Sequence, residues 1–146
     1  MNRRTAILLI ALALSAAFAG WQWLRPYEWH ADPGARYVID YANLKGDHGY
    51  TWVELHLKRS GAYDHDLMKP VTLLTGTGRE LEPSETTLGG EEGNGATQIF
   101  FRFWLENKDL ASWLKLKLND GTLEVRSGQG VPVASGDSRA YHSSHW

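Results

Sequence analysis

The sequence predicts an all-β domain, an antiparallel β-sandwich, preceded by a single N-terminal transmembrane helix. Three observations predict it. Residues 5–24 form one apolar run behind the basic start Arg3-Arg4. Downstream, apolar and polar residues alternate at a period of two, not 3.6. Glycine and aromatic residues are plentiful, with 15 Gly and 7 Trp, which suits short strands joined by tight turns.

The leader comes first. As a helix, about 20 residues rising ~1.5 Å each match the ~30 Å hydrocarbon layer of a bilayer. Trp21 and Trp23 fall at the outer boundary with Arg25 behind them, the position of an interfacial aromatic belt. Arg3 and Arg4 hold the N-terminus in the cytoplasm. A cleaved signal peptide is the competing reading: 7–14 as its apolar region and Ala17-Phe18-Ala19 as a small-x-small cleavage site. The apolar run continues past Ala19 to Leu24, which favours an uncleaved anchor. No cysteine follows it, so no lipid-attachment site exists.

The sequence divides into a signal-anchor (1–25), a linker (26–35), a β-sandwich (36–127) and a flexible C-terminal tail (128–146). The formal charge is −2 and no Lys/Arg cluster stands out, which argues against nucleic acid as a partner. The absence of cysteine excludes disulfides, thiolate metal sites and thiol nucleophiles.

Pro26 and Pro33 bracket the linker, and Pro33-Gly34 marks a turn. Residues 36–41 form a first strand. Residues 50–58 alternate well: Val53, Leu55 and Leu57 face one way, Trp52, Glu54, His56 and Lys58 the other. A polar loop follows over 60–69, then a short strand at 71–74. Gly76-Thr77-Gly78 turns it into 79–82. Residues 83–96 read as a long loop with a mobile Gly/Glu centre. The clearest strand is 98–106, with Ile99, Phe101, Phe103 and Leu105 on one face and Phe100, Arg102 and Trp104 on the other. Residues 107–111 make a turn or a single helical turn. The segments 113–118 and 122–126 form a hairpin about Asp120-Gly121, a two-residue turn signal. That register sets Leu118 against Leu123, Leu116 against Val125 and Lys117 against Glu124. About seven strands in roughly 90–100 residues describe a sandwich.

The strand ending in Thr75-Gly76-Thr77-Gly78-Arg79-Glu80, the long Gly/Glu loop, the strand Ile99-Phe100-Phe101-Arg102-Phe103-Trp104 and Leu114-Lys115-Leu116-Lys117-Leu118 resemble the immunoglobulin-like (telokin-like) domains found behind bacterial envelope signals or anchors. The resemblance is one of layout over residues 50–126. It implies an immunoglobulin-like sandwich that binds or scaffolds, and it supplies no catalytic residues. It also implies a bacterial inner-membrane protein with a periplasmic domain.

No Gly-x-Ser-x-Gly, His-Glu-x-x-His, P-loop or dinucleotide motif occurs, so no catalytic residue is assigned and the chain reads as a non-enzyme without a cofactor. Asp64-His65-Asp66 and Asp47-His48 offer hard ligands for a divalent ion if their loops meet. His142 and His145 have a spacing that would suit a metal on a helix. The ordinary reading of all three is a solvated polar segment, and no metal site is assigned. Glu91 and Glu92 lie between glycines, which give a carboxylate pair no fixed geometry.

The side opposite the aliphatic core is more informative. Tyr50, Trp52, His56, Phe100, Arg102, Trp104 and Trp113 share that phase, and large apolar groups interleaved with charge describe a recognition surface. The alternative is that other parts of the chain cover them. The expected partners are the other subunits of a membrane complex, with the membrane itself held by the N-terminal helix. An exported sugar- or peptide-binding module and a periplasmic metal-handling protein are the other two readings.

Overall fold

The computed structural model describes residues 2–24, 32–128 and 138–146. Helix α1 (Arg3–Leu24) has 22 residues, about 33 Å at ~1.5 Å per residue. It is long and apolar enough to cross a membrane, and none of its span is buried. Ile7, Leu8, Leu12, Leu14, Phe18, Trp21 and Trp23 are all exposed. Arg25 and residues 26–31 of the expected linker lie outside the described residues.

The domain is built from two antiparallel sheets. The larger contains β1 (Tyr37–Asp47), β2 (Tyr50–Arg59), β5 (Glu85–Gly89), β6 (Gln98–Glu106) and β9 (Ser138–Tyr141), in the order β5-β6-β2-β1-β9. The smaller contains β3 (Thr72–Thr75), β4 (Glu80–Leu81), β7 (Leu114–Leu118) and β8 (Gly121–Arg126), in the order β4-β3-β7-β8. Period-two alternation decides what each strand buries. Val53, Leu55 and Leu57 of β2 and Ile99, Phe101, Phe103 and Leu105 of β6 are fully buried. They share one core with Leu73 of β3 and with Leu114, Leu116, Leu118, Leu123 and Val125 of the β7–β8 hairpin.

Several expectations need correction. The first strand runs on to Asp47, because Ala42 and Leu44 continue the buried phase after an irregularity between Ile39 and Tyr41. The end of the linker is structured. Pro33–Ala35 is a 3₁₀ turn whose start is capped by Asp32, and Ala35 is buried in the core. The long loop contains β5, an edge strand on β6. Its β-branched Thr86-Thr87 favours that conformation.

The hairpin forms, but in a different register: Leu118 pairs with Gly121, Leu116 with Leu123 and Lys115 with Glu124. The shift is by two residues, so the buried face is unchanged. The turn is Asn119-Asp120, with Asn119 in a left-handed conformation, φ 51°. The Asn119 side chain fixes it, donating from Nδ2 to the Ala35 carbonyl (2.7 Å) and accepting the Asp66 N–H (2.9 Å). Gly121 is glycine for another reason. A Cβ there would stand 2.3 Å from the Ala35 nitrogen.

The C-terminal residues expected to form a flexible tail close the domain where they are described. Strand β9 pairs with β1, Ala42 opposite Tyr141. Trp146 is 1% exposed and donates from Nε1 to the Val125 carbonyl at 3.0 Å. Its ring stacks on Tyr141 at 4.7 Å and lies under the Arg126 guanidinium at 4.8 Å.

Candidate interaction face

The face is the outer surface of the larger sheet, and strand register builds it. The β2–β6 ladder sets Trp52 opposite Trp104, Glu54 opposite Arg102 and His56 opposite Phe100, with Tyr50 opposite Glu106 at the end. Strand β1 adds Tyr41 opposite His56, Asn43 opposite Glu54 and Lys45 opposite Trp52. Strand β5 adds Glu85 opposite Arg102 and Thr87 opposite Phe100. Directly opposed side chains on one face of a sheet lie close enough to interact.

The tryptophan end is one aromatic cluster. Tyr50 stacks on Trp104 with ring centroids 5.0 Å apart, and Trp52 meets Trp104 edge-on at 4.2 Å. The Arg102 guanidinium lies 4.4 Å above the Trp52 ring, a cation–π contact. Its Nη1 is 3.7 Å from Glu85 Oε2. Beside Tyr50, Glu106 hydrogen-bonds the Lys108 ammonium at 2.9 Å. That bond holds the Glu106 carboxyl below its ordinary range.

The other end is a packed aromatic row. His56 lies between Phe100, stacked at 4.3 Å, and Tyr41 at 4.8 Å. His56 Nδ1 is 3.2 Å from Asp40 Oδ2, and Nε2 is 3.3 Å from Gln98 Oε1. The same Asp40 oxygen holds the Lys58 ammonium at 3.2 Å. His56 is buried, so it braces the face from within. Between the two ends is a depression of about 140 Å³ lined by Glu54, Glu85, Thr87, Phe100 and Arg102.

Six of the seven residues singled out from the sequence thus stand together: Tyr50, Trp52, His56, Phe100, Arg102 and Trp104. Trp113 does not join them. It precedes β7 in the other sheet, accepts the Gly76 N–H on its carbonyl (3.0 Å) and has Lys115 over its ring at 4.8 Å. A shared period-two phase says nothing about which sheet a strand enters. Sequence reasoning missed Tyr41, Lys45, Glu85 and Thr87. The available signals were the continued alternation after Tyr41 and the β-branched pair Thr86-Thr87.

The metal-ligand loops do not meet. Asp47 and His48 form the β1–β2 turn, whereas Asp64-His65-Asp66 follows the far end of β2. Ten strand residues separate them, about 33 Å. Asp64, His65 and Asp66 are engaged with Arg59, Asn119 and the Met68 N–H. His142 and His145 are not on a helix. The His142 ring lies 6.1 Å from Tyr41, at the margin of the face.

Comparison of the chain with protein-family models, curated proteins and solved structures found no match.

Proposed function

We propose that this chain is a non-enzymatic accessory subunit of a larger bacterial envelope membrane complex, anchored through α1, whose β domain docks on partners through the outer face of the larger sheet. The observation that carries the reading is the cluster of Tyr50, Trp52 and Trp104 under Arg102. Trp, Tyr and Arg are the residue types that dominate binding energy at protein interfaces. Here they are adjacent, partly exposed and bordered by Glu54, Glu85 and Lys45. The apolar helix supports the anchor, with Arg3 and Arg4 directing the N-terminus to the cytoplasm and the domain to the periplasm of the inner membrane. The immunoglobulin-like affinity belongs to the same proposal and rests on the resemblance in layout. The host complex is respiratory, photosynthetic, secretory or transport in kind.

Native mass spectrometry of the endogenous protein in mild detergent tests the reading. The uncleaved chain within a stable assembly is the expected result, and Trp52→Ala with Trp104→Ala removes it from that assembly while the fold is retained. A chain that starts at Gly20 and runs alone would sink the proposal.

A second reading has its own observation, the depression beside Arg102. Two carboxylates, a guanidinium and the Phe100 ring suit the hydroxyls and apolar face of a sugar, or a peptide. Saturation-transfer NMR with envelope oligosaccharides separates the two: protection of Phe100 and Trp52 by sugar would favour a binding module.

A further inference from the structure

We infer that the β2–β3 loop, residues 60–71, is a second membrane contact that lays Tyr63, Leu67 and Met68 into the interfacial layer of the bilayer crossed by α1. The inference rests on the reading of α1 as a membrane anchor.

The loop pairs its charged groups and leaves its largest apolar side chains without cover. Its polar groups are engaged with the domain. Asp64 Oδ1 accepts from Arg59 at 3.0 Å, and its carbonyl accepts from Arg36 at 2.8 Å. The His65 N–H donates to the Tyr37 hydroxyl at 3.1 Å, and His65 Nδ1 lies 2.9 Å from Asn119 Oδ1. The Asp66 N–H donates to that same oxygen, and Lys69 pairs with Asp120. The apolar side chains face outward instead. Met68 is 91% exposed, Tyr63 75% and Leu67 73%, the highest values among the described large hydrophobics of the β domain. A loop made for water would be arranged the other way.

Its place in the fold says what covers it. The Ser60 N–H donates to the Arg36 carbonyl, so the loop starts beside the point where the chain enters the domain. At that entry Asp32 accepts the N–H groups of Gly34 and Thr122. Residues 25–31 are all that joins α1 to Asp32. Even fully extended, the path from Leu24 to Asp32 spans no more than about 29 Å. The domain is therefore tethered to the bilayer by the end that carries the loop, and the His48 turn is at the other end of β1, about 35 Å away. Tyr with Leu and Met is an interfacial set, an amphipathic ring beside flexible apolar chains. Arg36 and Lys69 are already paired, and Asp64, Asp66 and Asp120 are repelled by anionic headgroups. The contact is accordingly apolar, forms on neutral phosphatidylcholine and is insensitive to salt.

The native chain has no cysteine, so single probes can be placed cleanly. Full-length Leu67→Cys, Met68→Cys and His48→Cys, each labelled with nitrobenzoxadiazole, are reconstituted into phosphatidylcholine vesicles with and without doxyl-labelled lipid. Blue-shifted emission and quenching by the doxyl lipid are expected at positions 67 and 68, with neither at 48. Water-like emission at 67 and 68 in a chain that resists alkaline extraction overturns the inference and leaves the anchor standing. Blue-shifted probes beyond the reach of the quencher mean that protein covers the loop, and also overturn it. Release of the chain by alkaline carbonate removes the anchor reading and the inference with it.

Discussion

Single residues in this protein settle close approaches that strand patterning leaves open. Tyr37 is fully buried. Its hydroxyl donates to the Ala96 carbonyl at 2.6 Å and accepts the His65 N–H at 3.1 Å, tying two loops to β1. Burial raises the phenol above its ordinary value of 10.0. The folded chain therefore holds that proton more tightly than the unfolded chain. The resulting stabilisation is complete below about pH 10 and is lost as pH rises from there through the folded value. Tyr37→Phe is expected to cost about 1–3 kcal/mol at neutral pH, because it leaves the Ala96 carbonyl and the His65 N–H unpaired. It should also flatten the alkaline limb of the stability curve. Urea unfolding followed from pH 7 to 11 checks both effects, and an unchanged alkaline limb would assign the loss to other groups. Gly121 is the second such residue. Gly121→Ala forces a methyl onto the Ala35 backbone and is expected to cost about 1–3 kcal/mol. An unchanged urea midpoint would show that the Pro33–Ala35 turn yields instead.

At the scale of elements, register is the deciding quantity. The β7–β8 hairpin was legible in composition, and its buried face was read correctly. Its pairing was not, because Asp120-Gly121 is the stronger local turn signal and loses to the tertiary anchoring of Asn119. The same logic governs the outer face. The side-chain phase of Trp52 and Trp104 follows from β2 and β6 separately, but their pairing exists only because those strands are neighbours. Cross-strand aromatic contacts of this kind contribute roughly 0.2–1 kcal/mol, far less than a buried core residue. The double change Trp52→Ala, Trp104→Ala is therefore expected to lower stability by less than about 2 kcal/mol while it disrupts association. A cooperative urea transition whose midpoint falls by no more than that loss implies checks the first half, and loss of the fold would make both residues structural.

At the scale of the whole molecule, the two ends of the chain meet the same domain in different ways. The N-terminal helix leaves its apolar membrane-length span exposed, whereas Trp146 is part of the core. Trp146 caps the β8 side of the core and covers Arg126, whose buried guanidinium is pushed down from its ordinary value by burial. Trp146→Ala opens a cavity and leaves the Val125 carbonyl and Arg126 without that cover. It is expected to cost about 3–5 kcal/mol, read as a lower urea midpoint of the full-length protein in detergent. A change below about 1 kcal/mol would return residues 138–146 to the status of a tail.

The apolar helix, the β class and the buried face of β2, β6 and the hairpin are legible along the chain, because each is written in local periodicity that needs no knowledge of neighbours. Long-range packing sets what lies beside what. It moved Trp113 to the other sheet, separated the two His/Asp loops to opposite ends of β2, recruited β5 and β9 as edges and turned the polar loop outward-apolar. Those outcomes depend on strand order and on contacts between residues far apart in the chain, such as Asn119 with Ala35 and Trp146 with Val125. A period of two assigns a face to each strand, and the strand's neighbours are chosen by the long-range packing that forms one core.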